Sequence, residues 1–435
     1  MYRYGSTVVD VRILFLTNFY PPHVRGGMEL SCQSVVQNLS CRGHECQVLT
    51  SYFGYSSATR QAEAARLLHL EMDLVPIRNA FSFFTTRVRF EADNRKTLRR
   101  CIGEFRPDVV FVWGMWNLHR ILVRDAEEMM GSRVLYRFGD YWPSLPSQWV
   151  HYWQGTSKKM LPRLFKTALR PVAASLLARN APVQLSYPAS YCISHAVKNH
   201  LLQLRIPVEG AKVIHNGIDL EPYRQAAASG RFQNRSPYAL AFVGRLMHNK
   251  GAHVAIEALA RLIDTEGRPQ WRLTVIGSGD TGYVRHLEDL SEERGVSERV
   301  VFLGQVPSTS IPSILARHSV LVVPSLWEEP FGRVVIEGMA AGCVVVGSEV
   351  GALPEIIESG ETGILFPPGD AVSLANSLQW LVVEPAAAGH LATNGHACAV
   401  ERYSTERMVD EVELFLERVV EGEVSPGIEV RTQNA

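Results

Sequence analysis

VLVVPSLWEEPFGRVVIEGMAAGCVVVGS, residues 320–348, sets the architecture of the chain. Val320–Val323 is an unbroken branched apolar run, the pattern of a strand buried on both faces. A loop with Pro324 and the paired Glu328 and Glu329 follows, then Gly332, after which the apolar residues recur at helical spacing. Beyond Gly342 a second β-branched run begins, CVVVGS. Strand, loop, helix and strand in this order argue a parallel sheet, with the loop at the carboxyl end of the strand.

The alternation continues outward. YALAFVGRL (238–246), WRLTVIGSG (271–279) and RVVFLGQV (299–306) read as strands, separated by the helical patterns GAHVAIEALARLI (251–263), YVRHLEDLSEERG (283–295) and SIPSILARH (310–318). The first half opens on VRILFLTN (11–18), the turn-forming FYPPHVRGG (19–27) and the helix pattern MELSCQSVVQNLSCRGH (28–44). ECQVLTS (45–51), DVVFVWG (108–114) and RVLYRF (133–138) read as further strands. The expected fold class is α/β, with two doubly wound Rossmann-like domains, each accepting ligand at a topological switch point. Residues 1–205 form the first, 206–400 the second and 401–422 a C-terminal helix, and 423–435 reads as a disordered tail.

Composition fits an ordinary globular protein: 435 residues, 46% hydrophobic, with 44 Lys+Arg against 44 Asp+Glu. Zero net charge excludes a polyanion-coating protein and disfavours nucleic-acid binding. No apolar run approaches a bilayer span and no cleavable leader pattern opens the chain, so a cytoplasmic protein is expected. Seven cysteines without a C-x-x-C pair suggest neither a disulfide framework nor a zinc knuckle. The neutral total hides an asymmetry: residues 1–200 carry 25 bases and 14 acids. Residues 141–208 hold no acid and eight bases, Lys158, Lys159, Arg163, Lys166, Arg170, Arg179, Lys198 and Arg205. Bases mixed with Leu, Phe and Val at helical spacing read as a peripheral contact with an anionic membrane, or as a core-facing helix with a solvated basic side.

Three loops carry candidate chemistry. Gly26 and Gly27, between the first strand and the first helix, let backbone N–H groups approach an anion beside a positive helix end, without the spacing of a dinucleotide fingerprint. Arg245 and Lys250, after the strand that ends at Gly244, can clamp two phosphates, arginine as a bidentate fork and lysine as a point charge. Glu329 and Glu337 form a Glu-x7-Glu pair, a spacing that proves nothing by itself because it occurs four times in the chain. Context separates this pair from the others. One carboxylate lies in the loop at a buried strand's end and the other in the helix after Gly332, a placement suited to gripping hydroxyl pairs while N–H groups near Gly332 and Arg333 receive a phosphate.

Together these stretches resemble the retaining glycosyltransferases of the GT-B fold, family 4. GGMEL (26–30), HNGID (215–219), VGRLMHNKG (243–251), VIGSGD (275–280), VFLGQV (301–306), PSLWEEPFGRVVIEGMAAG (324–342) and GALPEIIESGETGILFPPGD (351–370) stand in the family's order, with YCIS (191–194) in the first half. The resemblance implies two domains facing each other across a cleft, the first on the acceptor side and the second binding a nucleotide sugar, with the C-terminal helix crossing back. It implies that Arg245 and Lys250 hold the donor's diphosphate, that Glu337 binds the ribose hydroxyls and that Glu329 touches the transferred sugar. Gly26 and Gly27 would line the diphosphate, the loops of Gly277, Gly279 and Gly304 would flank the base, and Gly244, Phe331, Gly332, Arg333 and Val334 would complete the donor site.

The implied activity is that of a hexosyltransferase of the EC 2.4.1 type, moving a hexose from a nucleotide-diphosphate sugar to a hydroxyl of a glycan, lipid-linked or small-molecule acceptor. Cofactors are expected to be none: no Asp-x-Asp constellation offers a metal site, and front-face transfer with retention needs no covalent nucleophile. One departure stands out, because Gly139 occupies the place of a family histidine, leaving Asp140 or Arg137 to serve the sugar, or Asp140 merely to cap a turn. His119 and His195 are candidates by residue type only. Trp113, Trp116, Trp142, Trp149 and Trp153 suggest an acceptor surface, or core. The competing readings are an inactive nucleotide- or glycan-binding scaffold of the same fold, and a sugar-phosphate phosphorylase or epimerase, for which neither a Schiff-base lysine site nor a solvent-facing acid pair is recognisable.

Overall fold

The computed structural model describes residues 10–24, 26–55, 57–60, 63–73, 79–155, 160–178, 183–226, 235–266 and 270–424. Arg25, Lys158, Lys159, Arg179 and the tail beyond 424 lie outside the described residues. The chain forms two compact units, one of Met1–Ile193, Val197–Ile214 and Val409–Ala435, the other of Ser194–Ala196 and His215–Met408. Each unit is an α/β domain built on a mainly parallel sheet.

Among its described residues the first unit holds eight strands: β1 (Arg12–Thr17), β2 (Glu45–Ser51), β3 (Thr59–Arg60), β4 (Ala64–Leu68), β5 (Val109–Gly114), β6 (Val134–Phe138), β7 (Ala189–Cys192) and β8 (Lys212–Val213). Their order is β3-β4-β2-β1-β5-β6-β7-β8, and every pair is parallel except β3 with β4. The central runs β1 and β5 are buried almost throughout, as expected for strands covered on both faces. Four strands escape the sequence pattern. β4 carries a charge, Arg66, whose buried guanidinium donates to the carbonyls of Tyr20 and Pro21, while β3, β7 and β8 are short. The last part of the helix Thr405–Val420 belongs to this unit: Arg42 pairs with Asp410 at 2.7 Å and with Glu413, and the Phe415 ring lies 6.3 Å from that of Tyr191.

The second unit holds six strands among its described residues: β9 (Ala239–Val243), β10 (Arg272–Ile276), β11 (Val300–Gly304), β12 (Val320–Val323), β13 (Val344–Ser348) and β14 (Ile364–Phe366). All pairs are parallel, in the order β11-β10-β9-β12-β13-β14. Five of these strands are read correctly from the sequence, and the three-residue β14 is not. The helices Ala252–Glu266, Thr281–Glu293, Ile311–Leu315 and Arg333–Ala340 make the crossovers. Asp280 starts the second of them by accepting the N–H groups of Gly282 and Tyr283. Val254, Leu259 and Leu262 from the first helix pack with Leu240, Val275, Val322 and Val346 in one continuous core. Because the connections wind one way from β9 to β11 and the other way from β12 to β14, the switch point falls between β9 and β12. Their carboxyl ends therefore bound the crevice in which such a sheet accepts a ligand.

Candidate functional site

Two loops leave that switch point, Gly244–Gly251 after β9 and Pro324–Gly332 after β12. They are bound to each other: the Leu326 N–H donates to the Asn249 carbonyl at 2.9 Å. Gly251, at φ +72°, lets them meet, since a Cβ there would lie 1.8 Å from the Pro324 carbonyl oxygen. On its other side the β9 loop is paired with the loop after β10, through Gly244 N–H to Ile276 O and Leu246 N–H to Ser278 O, both 2.9 Å. A Cβ on Gly277 or Gly279 would sit 1.8 Å from the carbonyl oxygen of Gly244 or Leu246. These two glycines thus have an internal reason to be glycine: they hold in place the loop that carries Arg245. Gly304, at φ +67°, accepts the Gly277 N–H at 2.8 Å and has open space around it.

The structure brings Lys250 and Glu329 together. The Lys250 Nζ lies 2.5 Å from Glu329 Oε1, an oxygen that also accepts the Ser325 hydroxyl at 2.6 Å, and the ammonium stands 5.1 Å from the centre of the Trp327 ring. Glu329 is buried, its carbonyl accepts the Ala352 N–H at 2.8 Å, and Gly351, at φ +59°, presses against its backbone. Arg245 is exposed, and its guanidinium makes no hydrogen bond or ion pair among the described residues. The site therefore holds one cation neutralised by a carboxylate and another facing solvent, an arrangement that can receive an anion by exchange.

Gly332, at φ +88°, starts the helix Arg333–Ala340, which no side chain among the described residues caps. Four residues on, Glu337 Oε1 accepts from Arg333 Nε at 2.9 Å, the spacing at which helical side chains meet. Burial raises the Glu337 carboxyl above its ordinary range, and the Arg333 charge and hydrogen bond pull the other way. Glu337 is thus a half-buried glutamate answered by the base Arg333. The buried hydroxyl of Tyr223 is pushed up, first by desolvation and then by the Glu337 charge; neither Tyr223 nor Ser325 had a signal in the sequence. Phe331 is core, its ring 5.9 Å from His215 and 6.0 Å from Tyr403, while Val334 is half-buried.

In the first unit, Gly26 caps the helix Gly27–Cys41 in extended backbone, and its N–H donates to Glu29 Oε2 at 2.9 Å. A Cβ on Gly26 would meet nothing nearer than that oxygen, 4.0 Å away, so internal packing does not explain the glycine. Gly139 has an explanation: a Cβ there would fall 2.0 Å from Nη1 of Arg137, whose buried guanidinium lies 4.4 Å over the Trp113 ring. Asp140 accepts the Trp142 N–H at 2.9 Å, and burial raises its carboxyl against the pull of that bond and of Arg137. Four of the five tryptophans offered as an acceptor surface, Trp113, Trp142, Trp149 and Trp153, are buried, leaving Trp116 partly exposed; ring packing places them in the core. His119 is enclosed beside Arg87, and burial pushes its imidazole down to about 4. His195, in the second unit, is exposed, and its backbone N–H donates to Glu355 at 2.8 Å.

Comparison with known proteins agrees with this architecture. The family described as Glycosyltransferase Family 4 matches residues 25–222, and Glycosyl transferases group 1 matches residues 228–397. An uncharacterized glycosyltransferase of Methanocaldococcus jannaschii is 26% identical over 426 residues, covering 92% of this chain and 96% of that one. Glycogen synthase of Mycobacterium tuberculosis (strain ATCC 25618 / H37Rv) is 38% identical over 176 residues, 40% of this chain and 41% of its own length. D-inositol 3-phosphate glycosyltransferase of Corynebacterium diphtheriae is 33% identical over 185 residues, 39% of this chain and 43% of its own. Among solved structures, Anabaena HepE in complex with UDP and glucose has a TM-score of 0.64 at 22% identity, covering 94% of this chain and 99% of that one. Sucrose-phosphate synthase from Thermosynechococcus elongatus has 0.70 at 21%, covering 95% and 100%. With two family matches following one another along both units and this fold beneath them, the chain belongs to the family 4, group 1 glycosyltransferases of GT-B fold.

Proposed function

We propose that this glycosyltransferase moves a hexose from a nucleoside-diphosphate sugar to an acceptor hydroxyl, with retention of configuration and without a metal. The observation that carries the reading is the Lys250–Glu329 pair, 2.5 Å apart at the switch point of the second sheet, with the exposed Arg245 on the same loop as Lys250. An entering diphosphate takes Lys250 from Glu329 and is forked by Arg245, while the uncapped helix start at Gly332–Val334 adds partial positive charge. Fixed cations of this kind stabilise the leaving group as its charge develops. Released from the ammonium, Glu329 accepts from hydroxyls of the transferred sugar, and Glu337, oriented by Arg333, accepts from the ribose. The bond from the anomeric carbon to the phosphate oxygen breaks, the bond to the acceptor oxygen forms on the same face, and the acceptor's proton passes to the departing phosphate. In the first unit the proposal extends to Gly26 and Gly27, at the start of the helix Gly27–Cys41, as lining of the diphosphate, and to Asp140 as a sugar contact.

The test is a thermal-shift panel of UDP, GDP and ADP, with and without a chelator, on the wild type and on Lys250→Ala. A ligand that binds only the folded state raises its stability. UDP is the first probe, because HepE has been crystallised with UDP and with UDP-glucose. One diphosphate is expected to stabilise the wild type equally with chelator present, and Lys250→Ala to lose most of that shift. No shift with any of the three would overturn the clamp, and a shift abolished by chelator would overturn metal independence.

A further inference from the structure

The helix Met160–Ala178 has two apolar faces. On one, Leu169, Ala173 and Leu176 press against the aromatic cluster of Phe83, Trp149 and Trp153. About a third of a turn away, Leu164, Ala168, Pro171 and Val172 are exposed, Leu164 at 63% and Val172 at 52%. Folding of the unit accounts for the first face and leaves the second in water. The helix Asn79–Thr85, which contributes Phe83 to the same cluster, repeats the arrangement by exposing Phe81 at 73% and Phe84 at 40%, and Val88 just beyond it is exposed at 69%. So many large apolar side chains left in water around one cluster mark a surface that something covers.

Charge says what kind of surface that is. Arg163 and Arg170 are exposed along one flank of the apolar face, and Lys166 stands nearby, its ammonium 4.4 Å from the centre of the Tyr152 ring. Arg89 is exposed beside Val88 and pairs with Asp93 at 3.6 Å. Residues 141–208 contain no acid. Apolar side chains flanked by exposed bases are the chemistry of a helix lying in the interface of an anionic bilayer. Among the described residues no helix is long and apolar enough to cross a membrane.

We propose that the exposed face of Met160–Ala178 and the Phe81–Val88 segment dock this protein on a bilayer rich in anionic lipid headgroups. The proposal does not depend on the transfer chemistry, since it concerns elements remote in sequence from the donor-site loops. Flotation of the full chain with vesicles of phosphatidylcholine alone, or mixed with phosphatidylglycerol, tests it at low and high salt. The wild type is expected to float with the mixed vesicles, to float poorly with phosphatidylcholine, and to be released by salt. Leu164→Glu combined with Val172→Glu is expected to lose most of the bound fraction, and Phe81→Ser, at a site too exposed to unsettle folding, to weaken it. Arg163→Ser with Arg170→Ser should lose binding to the mixed vesicles. Wild-type flotation that is absent, or equal on both vesicles, overturns the proposal, as do apolar variants that float like wild type. Light scattering that finds a dimer split by Leu164→Glu would assign the face to a second copy instead.

Discussion

At the scale of single residues, Lys250 and Glu329 are coupled by their ion pair. On the proposed mechanism Lys250→Ala removes a cation that stabilises the leaving group, and kcat is expected to fall by about 10²–10³, the cost of one preorganised electrostatic contact. Steady-state transfer measured with the diphosphate sugar that passes the thermal-shift test checks it. Glu337→Gln keeps the shape of a side chain held by Arg333 at 2.9 Å but loses a charged acceptor. It is expected to weaken nucleoside-diphosphate binding by about 1.5–3 kcal/mol, the range for a hydrogen bond to a charged group, with titration calorimetry as the readout. Gly139 belongs to the same scale. Gly139→Ala would set a Cβ against the buried Arg137 guanidinium and is expected to destabilise by about 1–3 kcal/mol, seen as a lower denaturation midpoint in urea.

At the scale of elements, the Arg245 loop after β9 is clamped from two sides, by Gly251 on Pro324 and by Gly277 and Gly279 on Gly244 and Leu246. Gly279→Ala cannot relax by turning a flexible side chain, because the atom it meets is backbone. The expected cost is about 1–3 kcal/mol, with a further loss of the diphosphate-induced thermal shift as the Arg245 loop moves. A variant that lost stability but kept the full shift would show that this loop does not position the phosphate contact.

At the scale of the whole molecule, the pH dependence of stability reports partly buried imidazoles in both units. His119 in the first unit is pushed down to about 4 by burial and then by Arg87. His253 in the second, its Nδ1 2.8 Å from the Tyr283 hydroxyl, is pushed down to about 4 by burial and then by His248 and His286. A depressed imidazole contributes stability above the unfolded value near 6.5 and loses it as pH falls toward 4, because the unfolded chain takes the proton first. Glu71 acts in the opposite sense. Burial pushes its carboxyl up to about 7, so its contribution is present below the ordinary carboxylate range and is lost as pH rises through 7. Melting temperature followed from neutral pH down to pH 4 is expected to fall less steeply in His253→Asn, and more steeply in Glu71→Gln, than in the wild type.

The sequence by itself determined the alternation of strand and helix, the parallel sheets and the loops that carry Arg245, Lys250, Glu329 and Glu337. Each of these is local, since a buried strand shows as a branched apolar run, a helix as a 3.6-residue period, and a turn as its glycines and prolines. The short strands β4, β7 and β14 fell below that signal, because a few residues cannot display a period and Arg66 breaks the apolar run of β4. Only the tertiary structure decided that Lys250 meets Glu329 across 79 positions, and that Arg137 fills the space over Gly139. It also decided that four of the five tryptophans are core while Leu164 and Phe81 are not. The physical reason is that composition and period fix which side chains prefer to leave water. Which neighbours they then find depends on sheet order and helix packing, which bring together residues that no local pattern relates.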